Sequence, residues 1–173
     1  MEIEDRALFL KYALPCAGTL VKRGVVSQAH VDHLVALVSE GHVPVEKEEE
    51  MFKVANAMCK HIAERMGKPK IDSEVIREYF LLEHSKVVDE RYELMRDFNP
   101  VDCRTYAGVV LKIEEGHATV RTNLGERVYR TTFARDLKEN DKVAVHFDFV
   151  IEKISNQTAK KMQMAELKYE KRS

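Results

Sequence analysis

The chain has 173 residues, 45% hydrophobic and 33% charged, an ordinary globular composition that excludes disorder and fits one large domain or two small ones. Its net charge of −1 divides unevenly: residues 1–102 carry −5 and residues 103–173 carry +4, most of it after Ser155. No run reaches the roughly 18–20 uncharged apolar residues of a membrane span, and three cysteines (Cys16, Cys59 and Cys103) make no disulfide framework.

The N-terminus MEIEDRALFLK opens with acids and lacks the basic start of a signal peptide, so a cytoplasmic protein with free thiols is expected. Ile3, Ala7, Leu10, Leu14 and Val21 fit one face of a first helix, with Pro15 predicting a kink or break. Gly24 ends it, and Ser27 is the expected N-cap of a second helix with the apolar stripe Val31, Leu34, Val35 and Val38, closed by Gly41. A third helix is predicted from near Pro44 to Met66–Gly67. Its acidic run Glu46, Glu48, Glu49 and Glu50 lies where a helix dipole favours negative charge, and its buried face is Met51, Val54, Met58, Ile62 and Met66. Asp72 or Ser73 is expected to cap a fourth helix through Glu83, and Ser85 a fifth through about Phe98, before the stop at Asn99–Pro100.

After Pro100 the hydrophobic period changes from 3.6 to 2. Val109, Leu111 and Ile113 alternate with Val110 and Lys112, and Glu115–Gly116 offers a turn. Ala118, Val120 and Thr122 follow, then a turn at Asn123–Gly125 and a weaker strand over 126–131. Val143, Val145, Phe147, Phe149 and Ile151 make the clearest alternation in the chain. Ser155 opens a last helix with Met162 and Ala165 facing inward. The predicted fold class is α+β: a helical domain of about five helices over 1–100, then a small OB-like β-barrel with a C-terminal helix over 101–173.

One assembly of features runs through the second half. It comprises Cys103, four residues, then Gly108 opening the first strand, Val145–His146 near the end of the barrel, and Val150–Ile151–Glu152–Lys153 before a lysine-rich helix. This part, about residues 103–170, resembles the HypC/HupF family of [NiFe]-hydrogenase maturation chaperones. Nothing specific is recognised in the N-terminal half. The resemblance implies an OB-like barrel that transiently holds iron carrying cyanide and carbon monoxide ligands, and a HypD-like maturation protein or a hydrogenase subunit as partner. The family's functional cysteine and histidine map to Cys103 and His146, and Cys103, Gly108 and His146 become the partner-binding positions. The chain departs from the family pattern in two places: Cys103 is internal rather than next to the initiator methionine, and Ala107 stands where the family has proline. A thiolate and a neutral imidazole suit iron on chemical grounds as well.

Strand alternation sets Val143, Val145 and Phe147 on one face and turns His146 away from the core. His30–x–x–His33 and Cys59–Lys60–His61 are weaker metal candidates, lacking a completing carboxylate pattern or a shared helix face. His84, Asp89 and Arg91 could form an interhelical polar network. The expected function is a binding or chaperone protein rather than an enzyme, since no phosphate-binding glycine loop or nucleophile elbow is present. The helical half would dock a partner or a second copy of the chain. The alternative is an OB-type nucleic-acid-binding module, with Tyr106, Tyr129, Phe133, Phe147 and Phe149 for stacking and Arg121, Arg127, Arg130 and Arg135 as its basic face. Residues 103–154 carry only +1, too little for the footprint of a strong nucleic-acid binder. A third reading is an enzyme with a cleft lined by Cys103, His146 and His84.

Overall fold

The computed structural model describes residues 1–95 and 99–170. They form two compact units, Met1–Phe80 and Leu81–Ser173.

In the first unit, Asp5 caps α1 (Arg6–Ala13) by accepting the Leu8 N–H at 3.0 Å. Pro15 has no N–H to continue an α-helix, and Leu14–Cys16 tightens into a 3-10 turn before α2 (Ala17–Lys22). Ile3 lies outside the helix that the sequence predicts for it and forms a parallel bridge to Ile71. Ser27 caps α3 (Gln28–Ser39), whose buried stripe is Val31, Leu34 and Val38. The third helix, α4 (Lys53–Arg65), starts nine residues after Pro44. The acidic run forms a 3-10 turn, Glu48–Met51, because Glu49 is drawn into a buried ion pair. The Arg6 guanidinium grips its carboxylate at 2.7 and 2.8 Å and also donates to the Glu46 carbonyl. Helix α4 therefore buries Cys59, Ile62 and Ala63, while Met51, Val54, Met58 and Met66 are only half-buried. Phe9 sits edge-on to Phe52 and Phe80, and Tyr12 stacks on Phe80 at 5.0 Å, centring this core.

Asp72 caps α5 (Ser73–Arg77), accepting the N–H groups of Glu74 and Val75. The expected break at Ser85 does not occur. Helix α5 runs through a π-helical segment, Glu78–Glu83, directly into α6 (His84–Met95). No glycine or proline lies between Ser73 and Met95 to stop it. A π turn takes up an extra residue and so rotates the face that follows by about 100°. The predicted end of this helix near Phe98 lies outside the described residues.

In the second unit, Asn99 and Pro100 start a helical turn, α7 (Pro100–Cys103). Asn99 accepts the Val101 N–H, and Pro100 sits at a first position where its missing N–H is harmless. Five strands follow: β1 (Thr105–Glu114), β2 (His117–Thr122), β3 (Gly125–Arg130), β4 (Lys142–His146) and β5 (Phe149–Lys153). They close in the order β1-β2-β3-β5-β4, the OB-like barrel expected from the sequence, with β3–β5 the one parallel pair. The interior holds Tyr106, Val110, Ala118, Val120, Tyr129, Leu137, Val143, Val145 and Val150. On β1 the core face is thus Tyr106 and Val110. Val109 and Leu111 are half-buried and Ile113 is 40% exposed, because the register shifts between Val110 and Lys112.

The long alternation Val143–Ile151 is two strands rather than one. Phe147 and Asp148 form a tight connection in which Phe147 takes a positive φ of 52°. Ser155 caps α8 (Asn156–Glu170), which packs on β1 and β4 through buried Ala159 and Met162, with Ala165 half-buried. Among the described residues, no helix is long and apolar enough to cross a membrane.

Candidate metal centre

Three elements of the second unit bring one histidine or cysteine each to a common point. His84 opens α6, Cys103 ends α7 one residue before β1, and His146 ends β4. One ligating atom from each, the Cys103 sulfur and a ring nitrogen of each histidine, lies within 4.8 Å of the others. Donors around a shared tetrahedral ion at 2.0–2.3 Å are about 3.3–3.8 Å apart, so modest side-chain rotation would bring these three onto one ion. All three residues are buried, His146 completely.

The Cys103 carbonyl organises both rings. His84 Nε2 lies 3.1 Å and His146 Nε2 2.9 Å from it, and the ring centroids are 5.0 Å apart at 76°. A carbonyl oxygen only accepts, so each Nε2 carries a proton toward it, which leaves Nδ1 as the ligating nitrogen whenever the ring is neutral. A backbone acceptor on one nitrogen is the usual partner of an imidazole that ligates a metal through the other. Burial lowers the basicity of His84 and the nearby His146 adds to that, while hydrogen bonding with the Cys103 side chain opposes them. The net effect is a neutral ring, the form that binds metals. One thiol and two imidazoles make a borderline-soft donor set suited to zinc, iron or cobalt rather than to calcium or magnesium.

The structure revises the reading of His146. Alternation correctly turns it away from the barrel interior, opposite Val143 and Val145, but the ring is wholly buried rather than exposed. The outer surface of β4 at this end carries His84 against it. His84 Nε2 lies 3.1 Å from the Cys103 carbonyl, and Asp89 receives Arg104 at 2.7 and 2.9 Å.

Gly108 lies in β1, buried, with its α-carbon against Val120 and Thr122 of β2. His30 pairs with Glu48 at 3.0 Å, and His33 is exposed. Cys59 is buried while His61 is exposed, as their two-residue spacing on a helix requires. Of the aromatic candidates, Tyr106 and Tyr129 belong to the barrel core, and Phe133 stacks on Phe149 at 5.1 Å. Arg121 pairs with Glu126, Arg127 with Asp102 and Arg130 with Asp148, so carboxylates already occupy much of the proposed basic face.

The chain matches no family model and no curated protein.

Proposed function

We propose that the second unit is a metal-handling binding module in which Cys103, His84 and His146 receive a transition-metal ion. The observation that carries this reading is the cluster itself: a thiol and two imidazoles, all buried and within ligating reach of one another. Two histidines and a cysteine buried only for packing would be a poor choice, because apolar side chains fill such space without needing partners. The bound ion would supply Lewis acidity and a site for further ligands. The protein's own residues would bind it, Cys103 as thiolate and the two rings as neutral donors oriented by the Cys103 carbonyl.

The resemblance to HypC/HupF chaperones favours iron as the ion and transfer to a partner, a HypD-like protein or a hydrogenase subunit, over catalysis. A closed five-strand barrel followed by a terminal helix, with Cys103 and His146 brought together, supports this reading. His84 adds a donor that comes from outside the region of resemblance.

The test is metal analysis of anaerobically purified protein, together with Fe(II) and Co(II) titration of the wild type and of Cys103→Ala, His146→Ala and His84→Ala. Stoichiometric binding in the wild type, lost in the Cys103 and His146 variants with far-UV circular dichroism unchanged, is the expected result. A wild-type protein that takes up neither ion at micromolar concentration overturns the reading.

A further inference from the structure

Helix α8 packs on the barrel through Ala159 and Met162 and turns a different face outward. Lys160, Met164 and Leu167 stand at helical spacing on that face, with Met164 61% and Leu167 56% exposed. Asn123 donates to Glu166 at 3.0 Å, which sets the β2–β3 turn and its exposed Leu124 beside the helix. Among the described residues, Lys160 and its exposed neighbour Lys161 form no ion pair. Residues 156–173 hold five basic side chains against Glu166 and Glu170, a net +3. An exposed apolar stripe edged by uncommitted cations fits a partner that is both apolar and acidic. The first unit presents a segment of that chemistry. Between α3 and the 3-10 turn Pro44 is buried and the Glu46 carbonyl is held by Arg6, while Val43 and Val45 are exposed, Val45 at 94%. Residues 40–50 hold five glutamates against Lys47, a net −4. Arg6 and His30 take up Glu49 and Glu48, leaving Glu40, Glu46 and Glu50 exposed.

We propose that the outward face of α8 docks the 43–50 segment of a second copy of this chain. Charge selects this pairing over two α8 helices packed on each other, since like-charged lysines would then face one another. The valines supply apolar area against Met164 and Leu167, and the exposed glutamates lie within reach of lysines that have no other partner. Pro44 and the Arg6 contact fix the segment before it docks, so little chain freedom is lost on association. The contact joins two different surfaces of the chain, and its small size puts it in the weak, reversible class. It uses none of Cys103, His84 and His146, so it stands or falls independently of the metal-handling role.

Sedimentation equilibrium of the full-length protein at low salt, from about 10 to about 500 µM, reads the association directly. The wild type should gain mass across this range, and salt at about 0.5 M should weaken the association severalfold by screening the charges. Val45→Asp and Leu167→Asp should each weaken it about tenfold, with far-UV circular dichroism unchanged because both positions are exposed. A mixture of the two variants should associate again, since each supplies the surface that the other lacks. A wild type that stays monomeric overturns the proposal, and binding of that monomer to anionic phospholipid vesicles would assign the α8 face to a lipid surface instead. Association that survives Val45→Asp, or that mixing does not restore, overturns it as well.

Discussion

Replacing Gly108 with alanine tests the packing of the barrel wall. A β-carbon built on Gly108 would lie 2.4 Å from Val120 Cγ1 and 3.1 Å from both the Arg121 carbonyl and Thr122 Cγ2. Carbon atoms pack at about 3.5–4.0 Å, so the new methyl overlaps Val120 by about 1 Å. Val120 cannot yield easily: it is fully buried, β-branched and stiff at χ1. The Arg121 carbonyl belongs to backbone laddered to β1 through Val109. Local propensity argues the other way, since alanine for glycine in a strand is favoured by about 0.5–1 kcal/mol where it fits. Overpacking of a tight core costs about 1–3 kcal/mol, so the clash should win and Gly108→Ala should destabilise by about 1–2 kcal/mol. Urea unfolding followed by far-UV circular dichroism, with a slope of about 2 kcal/mol per molar, would register a midpoint lower by about 0.5–1 M. Adding Val120→Ala removes the blocking methyl, so the double variant should be more stable than the sum of the single effects by about 1 kcal/mol. A Gly108→Ala midpoint equal to or above that of the wild type would refute the reasoning.

Two further outcomes follow from buried and paired groups. Burial pushes the Cys59 thiol up to about 12, so only about one molecule in ten thousand is thiolate at pH 8. Iodoacetamide should therefore leave Cys59 unmodified in native protein and label it in urea, as peptide mass analysis would read; labelling of the folded state would contradict its burial. Asp141 bonds to Lys153 at 2.8 Å and accepts the Lys138 N–H, which hold its carboxyl below the ordinary 3.8. A depressed carboxyl stabilises the fold above its unfolded pKa and loses that contribution as pH falls through the folded one. The urea midpoint of the wild type should accordingly exceed that of Asp141→Asn at pH 6, and the difference should shrink below about pH 4. A difference that grows on acidification would count against the ion pair.

Much of the architecture was legible because it rests on local chemistry. Ser27, Asp72 and Ser155 are capping residues by side-chain type, and each caps the helix that the sequence predicts for it. Pro15 breaks its helix for want of an N–H. The change of period after Pro100 reflects the alternating faces of a strand, and the barrel follows from it. Errors arose where distant residues competed with local preference. The acidic run before α4 suits a helix dipole, yet Arg6, more than forty residues away, holds Glu49 in a 3-10 turn. The apolar run ending at Ile151 alternates without interruption, and only the reversal at Phe147 divides it.

The candidate centre divides in the same way. Cys103 and His146 are singled out by the resemblance, and alternation turns His146 from the barrel core. Sequence period says which way a side chain points but not what covers it. The burial of His146, its meeting with His84 and the shared Cys103 carbonyl depend on contacts across 19 and 43 residues of chain. Such contacts exist only once the barrel has closed and α6 and α7 have packed, because proximity between distant residues is a property of the folded chain.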